Sequence, residues 1–274
     1  MELTRRFIFN GSAAAFGGRF VRPEDVVLAS TGGSALPSVG GRSDWRDRDI
    51  KIGKSFRIAR AETSASGLVD SLRDAVKVTH GKLTAEALNA TTTVSARVRG
   101  LEVGGAAPLK KGDEPEPLMT VSDVNAALVS RSAQPGHESS VIVSEASVST
   151  VTFDSPVHGR YKLDVVIDFA PFKRCDTRAK VVADSSILQV HGDRDLIFAT
   201  VVKELVWQKD RAYPGSKPLG TNGVYIPNLG RFFFGELLIQ ASTRRLTMIR
   251  MELGSPTGGD GVVGDMDTNG SWSF

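Results

Sequence analysis

The chain has 274 residues, of which 41% are hydrophobic and 24% charged, a balance that excludes wholesale disorder and is long enough for one large core or two small ones. Lys plus Arg number 34 against 31 Asp plus Glu, for a net charge of +3. The basic residues are scattered in short pairs such as Arg5-Arg6 and Arg244-Arg245, so no specific nucleic-acid signal stands out. A single cysteine, Cys175, excludes an internal disulfide framework and any cysteine-rich metal site. No apolar run approaches the roughly 20 residues of a transmembrane helix.

At the N-terminus two readings stand side by side. Thr4-Arg5-Arg6-Phe7-Ile8-Phe9 followed by Gly11-Ser12-Ala13-Ala14-Ala15 resembles a twin-arginine export signal. Arg6-Phe7-Ile8-Phe9-Asn10 reads equally well as a first β-strand. Residues 10–43 are dense in Gly, Ser and Ala, which disfavours long regular elements. The expected organisation is an N-terminal arm over 1–45, a β-rich core over 46–256 and a Gly/Asp-rich tail over 257–274. Asp44 to Asp49 alternates in sign and suits a solvated strand edge or loop.

From Ile50 the pattern is strand-like. Ser66 to Val78 breaks it, with Leu68, Leu72, Ala75 and Val76 at helical spacing, and predicts a helix. A second short helix is expected from Ser122 or Asp123, with Val124, Ala127 and Leu128 on one face. Val94, Ala96 and Val98 alternate with Ser95, Arg97 and Arg99 in the period of a half-buried strand. Val141–Val143, Val148–Phe153 and Tyr161–Phe169 continue the β pattern. Leu196–Trp207 and Phe232–Leu253 are apolar enough to form the central sheet, with Phe233 and Leu238 in the core. Two Pro/Gly-rich loops are expected at 104–117 and 208–231. The fold class is therefore mainly β: a sandwich or barrel-like pair of packed antiparallel sheets with one or two short helices.

Candidate chemistry is sparse. Asp265-Met266-Asp267-Thr268-Asn269-Gly270 resembles the first half of an EF-hand calcium loop, which places possible Ca2+ ligands at Asp265, Asp267 and Asn269. The resemblance covers six residues, and the bidentate Glu of loop position 12 has no counterpart. His191-Gly192-Asp193 resembles a stretch of some α/β-hydrolases, but no G-x-S-x-G elbow accompanies it. Asp164 with Asp168, and Glu236 with Glu252, are the carboxylate pairs a hydrolase would need. Many strands, small-residue ends, long loops and one cysteine together suggest a non-enzymatic structural or assembly subunit of virion, tail, appendage or surface-layer type. Such a subunit would self-associate through its arm and loops, at an extracellular, cell-surface or virion location. The alternatives are a β-sandwich binding module, calcium-dependent or not, and a carboxylate hydrolase.

Overall fold

The structure is a computed structural model and describes residues 7–21, 25–52, 56–69, 89–104, 117–132, 139–155, 159–184, 187, 189–191, 196–240, 243–254 and 258–272. In chain order the elements begin with β1 (Phe7–Phe20), β2 (Val26–Ala35), β3 (Gly41–Ile52), β4 (Phe56–Val69), β5 (Ala90–Gly104) and β6 (Pro117–Ser132). β7 (Ser140–Val148), β8 (Val151–Ser155) and β9 (Gly159–Ile167) lead to two short helices, α1 (Ala170–Arg174) and α2 (Arg178–Ala183). There follow β10 (Gln189–His191), β11 (Leu196–Thr200), β12 (Val202–Trp207), β13 (Lys217–Leu219), β14 (Gly223–Ile226), β15 (Gly230–Gln240), β16 (Thr243–Leu253) and β17 (Gly259–Trp272).

The strands form two antiparallel sheets that pack as a sandwich. One runs β10-β11-β15-β16-β17-β1-β2, with β14 beside β15 and β13 beside β14, and the other runs β12-β9-β8-β6-β5-β4-β3, with β7 beside β6. Alternation builds the interface. In β5, Ala90, Thr92, Val94, Ala96 and Val98 turn inward while Thr91, Thr93, Ser95 and Arg97 turn out. Phe153 of one sheet meets Phe232 of the other edge-to-face at 5.3 Å, and both are fully buried. Each such side chain contributes about 1.5–3 kcal/mol by leaving water.

The chain crosses between sheets at both flanks. β2 ends in the first sheet and β3 begins in the second, and there the Ser34 hydroxyl donates to the Thr63 carbonyl oxygen at 3.1 Å. At the other flank β11 and β12 are one apolar run bent at Val201, whose N–H donates to the Gly235 carbonyl. Leu196–Trp207 was expected as one central strand. It is two strands in different sheets, and β12 is a largely exposed edge.

A crease crosses each sheet. In the first, Gly235, Gly264 and Gly32 take positive φ of 56°, 62° and 71°, and the ladder skips the pairs 235/248, 248/264, 264/15 and 15/32. In the second, Asp49 and Gly100 take φ of 51° and 61°, and the skipped pairs are 49/59, 59/100 and 100/122. Both partners of each pair are irregular, so the register on the two sides of the crease is the same. The in-out alternation, however, slips by one. Phe234 with Gly235, and Ala15 with Phe16, both face the core. Ala59 with Arg60, and Arg99 with Gly100, both face solvent. An extra row lengthens the face that carries it, so the two sheets bend in the same sense and stay nested. An ideal β-carbon at Gly264 would lie 3.5 Å from Val124 Cγ1 of the opposite sheet, which puts the two creases at one level.

Several expectations change here. The helix expected from Ser122 or Asp123 is strand β6. Ala127 lies on the outer face opposite Ser95 and Glu145 but is small and covered, while Leu128 faces the core, so two buried apolar residues in succession imitate helical spacing after Val124. Of the helix expected over Ser66–Val78, Ser66–Val69 end strand β4 and the remainder lies outside the described residues. The short helices are instead α1, with proline in its first turn, and α2, whose Thr177 side chain accepts a hydrogen bond from the Lys180 N–H. Phe233 and Leu238 lie on the outer, half-buried face of β15, and Phe232, Phe234, Leu237 and Ile239 hold the core. The slip at Gly235 decides which parity faces inward. The segment 208–231 contains the β13–β14 hairpin, and the loop expected at 104–117 lies mostly outside the described residues. Residues 7–35, read as an arm, supply β1 and β2, and β1 lies between β17 and β2 inside the first sheet. Ala13, Ala14, Phe16 and Leu36 are buried within the chain's own core.

Candidate interaction face

The outer face of the second sheet gathers arginines that are far apart in sequence. Directly opposite residues in an antiparallel ladder share a face, with Cβ atoms about 4.5–5.5 Å apart. The register aligns Arg48, Arg60, Arg99 and Asp123 on one rung beside the crease. The neighbouring rung is Arg46, Glu62, Arg97 and Asn125. Three arginines therefore stand abreast on adjacent strands, an arrangement that works against the sheet by like-charge repulsion.

Two carboxylates temper this charge. Arg97 donates to Asp123 with both Nε and Nη2, at 2.9 and 3.2 Å, and Arg99 Nε reaches the same carboxylate at 3.3 Å. The hydrogen bonds to Asp123 hold the Arg97 guanidinium more firmly protonated than usual. Arg60 pairs with Glu62. Arg46 and Arg48 have no carboxylate partner among the described residues. The two rungs carry five arginines against two acids, while the guanidinium side chains of Arg60, Arg97 and Arg99 are 37–42% exposed. Composition alone missed this cluster. The signal available was the Arg97-x-Arg99 and Arg46-x-Arg48 spacing, which sets each pair on one face of a strand.

The outer face of the first sheet is more evenly paired. Arg250 bridges Glu236, through Nε at 2.7 Å and Nη2 at 2.9 Å, and also binds Glu252. The two carboxylates considered for hydrolysis thus share one guanidinium. Asp164 accepts from Thr150 at 2.6 Å and from Gln208 at 2.9 Å in the other sheet, and Asp168 accepts from the Ala170 N–H at the start of α1.

Asp265, Asp267 and Asn269 occupy strand β17, not a turn, on successive outward positions. Such positions stand about 7 Å apart along a strand. Asp265 accepts from Arg245 Nη2 at 2.7 Å and Thr247 Oγ1 at 2.7 Å, Asp267 accepts from Ser12, and Asn269 meets Asn10 and Thr243. A cation at Asp265 would have to displace Arg245. Among the described residues no group of three or more His, Cys, Asp or Glu is arranged to hold a metal. No helix among them is long and apolar enough to cross a membrane. Cys175 is buried, and its thiol donates to Asp184 Oδ2 at 3.3 Å. His191 lies in β10, while His80, His137 and His158 are outside the described residues.

These features define a mainly β, two-sheet sandwich protein with a basic outer face. Residues 7–105 match the family model described as a domain of unknown function (DUF8256), a stretch that includes β3, β4 and β5. No curated protein and no solved structure matches the chain.

Proposed function

We propose that the protein is a non-enzymatic structural subunit, of virion, tail, appendage or surface-layer type, whose copies join along the edges of their sheets. The observation that carries this reading is β3. It is twelve residues long, eight of them exposed, and hydrogen-bonded to β4 alone. Such an edge is a template for another strand unless it is blunted. Lysine-rich edges repel a second copy, whereas Arg42 to Asp49 holds three arginines and three aspartates and presents a neutral edge to a strand of its own composition.

The Arg48 N–H donates to Oδ1 of the preceding residue, Asp47, and so turns away from β4. Alternate residues of a strand present their peptide groups to the same side, so Arg46 N–H belongs to the open edge as well. Arg46→Pro removes that donor and leaves the β3–β4 ladder in place. Light scattering over a concentration series should give a mass above the 29.3 kDa monomer for the wild type and the monomer mass for Arg46→Pro. A monomeric wild type ends the assembly reading, and an oligomer that survives the proline moves the contact away from β3.

A calcium-dependent binding module is the second reading. The feature in its favour is the set Asp265, Asp267 and Asn269 on one outward line of β17. Calorimetric titration of calcium, with Asp265→Ala as the control, tests it in the millimolar range where weak extracellular sites bind.

A further inference from the structure

We propose that the arginine rungs on the outer face of the second sheet bind the phosphate backbone of a nucleic-acid duplex without reading its sequence. This inference is independent of the β3 edge contact, because the rungs lie on the sheet's face and extend over β4 and β5.

Three properties of the face point to this ligand. Its excess charge is supplied by guanidinium groups, which grip phosphate oxygens in a two-pronged geometry that ammonium groups cannot match. Arg48, Arg60 and Arg99 stand abreast across three strands, and on the next rung Arg46 and Arg97 flank Glu62, so the charge forms a flat patch rather than a point. Folding alone would disfavour like charges directly opposite one another, and an anion laid across them removes that penalty.

The same rungs say what the ligand is not. Arg46, Arg48, Arg60, Glu62, Arg97, Arg99, Asp123 and Asn125 include no apolar or aromatic side chain. A protein partner would want an apolar centre to its interface. Single-stranded nucleic acid would want an aromatic platform for its bases. A duplex shows its phosphates outward and needs neither, and backbone contacts carry no base information.

The test is fluorescence anisotropy of the full chain with a labelled duplex of about 20 base pairs, titrated at rising salt. Binding should appear at low salt and weaken with a log–log slope near −3, which corresponds to about three neutralised phosphates. Arg60→Gln with Arg99→Gln should weaken binding at least tenfold and flatten the slope by about 2. Arg160→Gln with Arg231→Gln removes equal charge from other strands and should leave binding at the wild-type level. If the first pair lowers the melting temperature, Arg46→Gln with Arg48→Gln gives the same reading on residues without a carboxylate partner. Duplexes of shuffled sequence should bind equally. Absence of binding at low salt, an equal loss with the control pair, or a preference among sequences overturns the proposal. Polyglutamate of matched charge that binds as tightly as the duplex overturns it in favour of an acidic protein partner.

Discussion

Gly32 of β2 lies against the indole of Trp45 of β3, so close that a β-carbon on the glycine would overlap the ring. This contact closes the flank where the chain passes from one sheet to the other. Gly32 also takes a φ of 71°, and its carbonyl accepts from Thr63 Oγ1 at 3.0 Å. Gly32→Ala therefore meets both backbone strain and a clash, and should cost about 1–3 kcal/mol. Urea unfolding followed by tryptophan emission reads both the loss and the displaced indole. Unchanged stability with unchanged emission would mean that this corner is packed differently.

Neighbouring phenylalanines of β15 should behave unequally. Phe232 is fully buried against Phe153, and its change to alanine should cost about 3–5 kcal/mol. Phe233 faces outward under the Arg250 guanidinium, 3.9 Å from the ring centre, and its loss should cost about 1–2 kcal/mol. Chemical denaturation of the two variants ranks them directly. The opposite ranking would place the slip at Gly235 on the wrong side of these residues.

The Cys175 thiol is pushed above its ordinary value by burial, and its hydrogen bond to Asp184 adds to the shift. The folded chain keeps a proton that the unfolded chain releases, so this group's contribution is complete below about pH 9 and fades as pH rises further. Alkylation by iodoacetamide at pH 8 should be slow in the native protein and fast in denaturant. Rapid native labelling would show that the thiol is not held as a neutral buried group.

Asp176 moves the other way. Burial pushes its carboxyl up, but hydrogen bonds from Lys180 Nζ and Ser140 Oγ, each at 2.7 Å, outweigh it and hold the carboxyl below its usual range. Its contribution is present above about pH 4 and is lost as pH falls through the lowered value. Asp176→Asn should lower stability at every pH above about 4 and flatten the acid limb, so that variant and wild type converge as pH falls. An unaltered acid limb would assign acid sensitivity to other carboxylates.

The fold class was legible because β5 alternates cleanly from Ala90 to Val98 and because apolar runs such as Phe232–Ile239 are short and bounded. Local pattern misled where two buried residues came in succession. Ala127, outward but small and covered, imitated a helix together with Leu128, and the slip at Gly235 set Phe233 and Leu238 on the same outer face. The bend at Val201 was hidden because the apolar run continues through it into a different sheet. The arginine face escaped the sequence for another reason. Arg48, Arg60 and Arg99 become neighbours only through pairing register, which no single strand encodes.

The crease also ties distant positions together in inheritance. Asp49, Ala59, Gly100 and Ser122 lie on four different strands, yet the register survives the slip only where each of β3 to β6 slips at the same level. A one-residue insertion in β5 alone would set Gly100 off that line and turn half of the strand's side chains to the wrong side of the sheet. Lineages of this chain are therefore expected to change length at these strands together or not at all, while the loops between them drift freely.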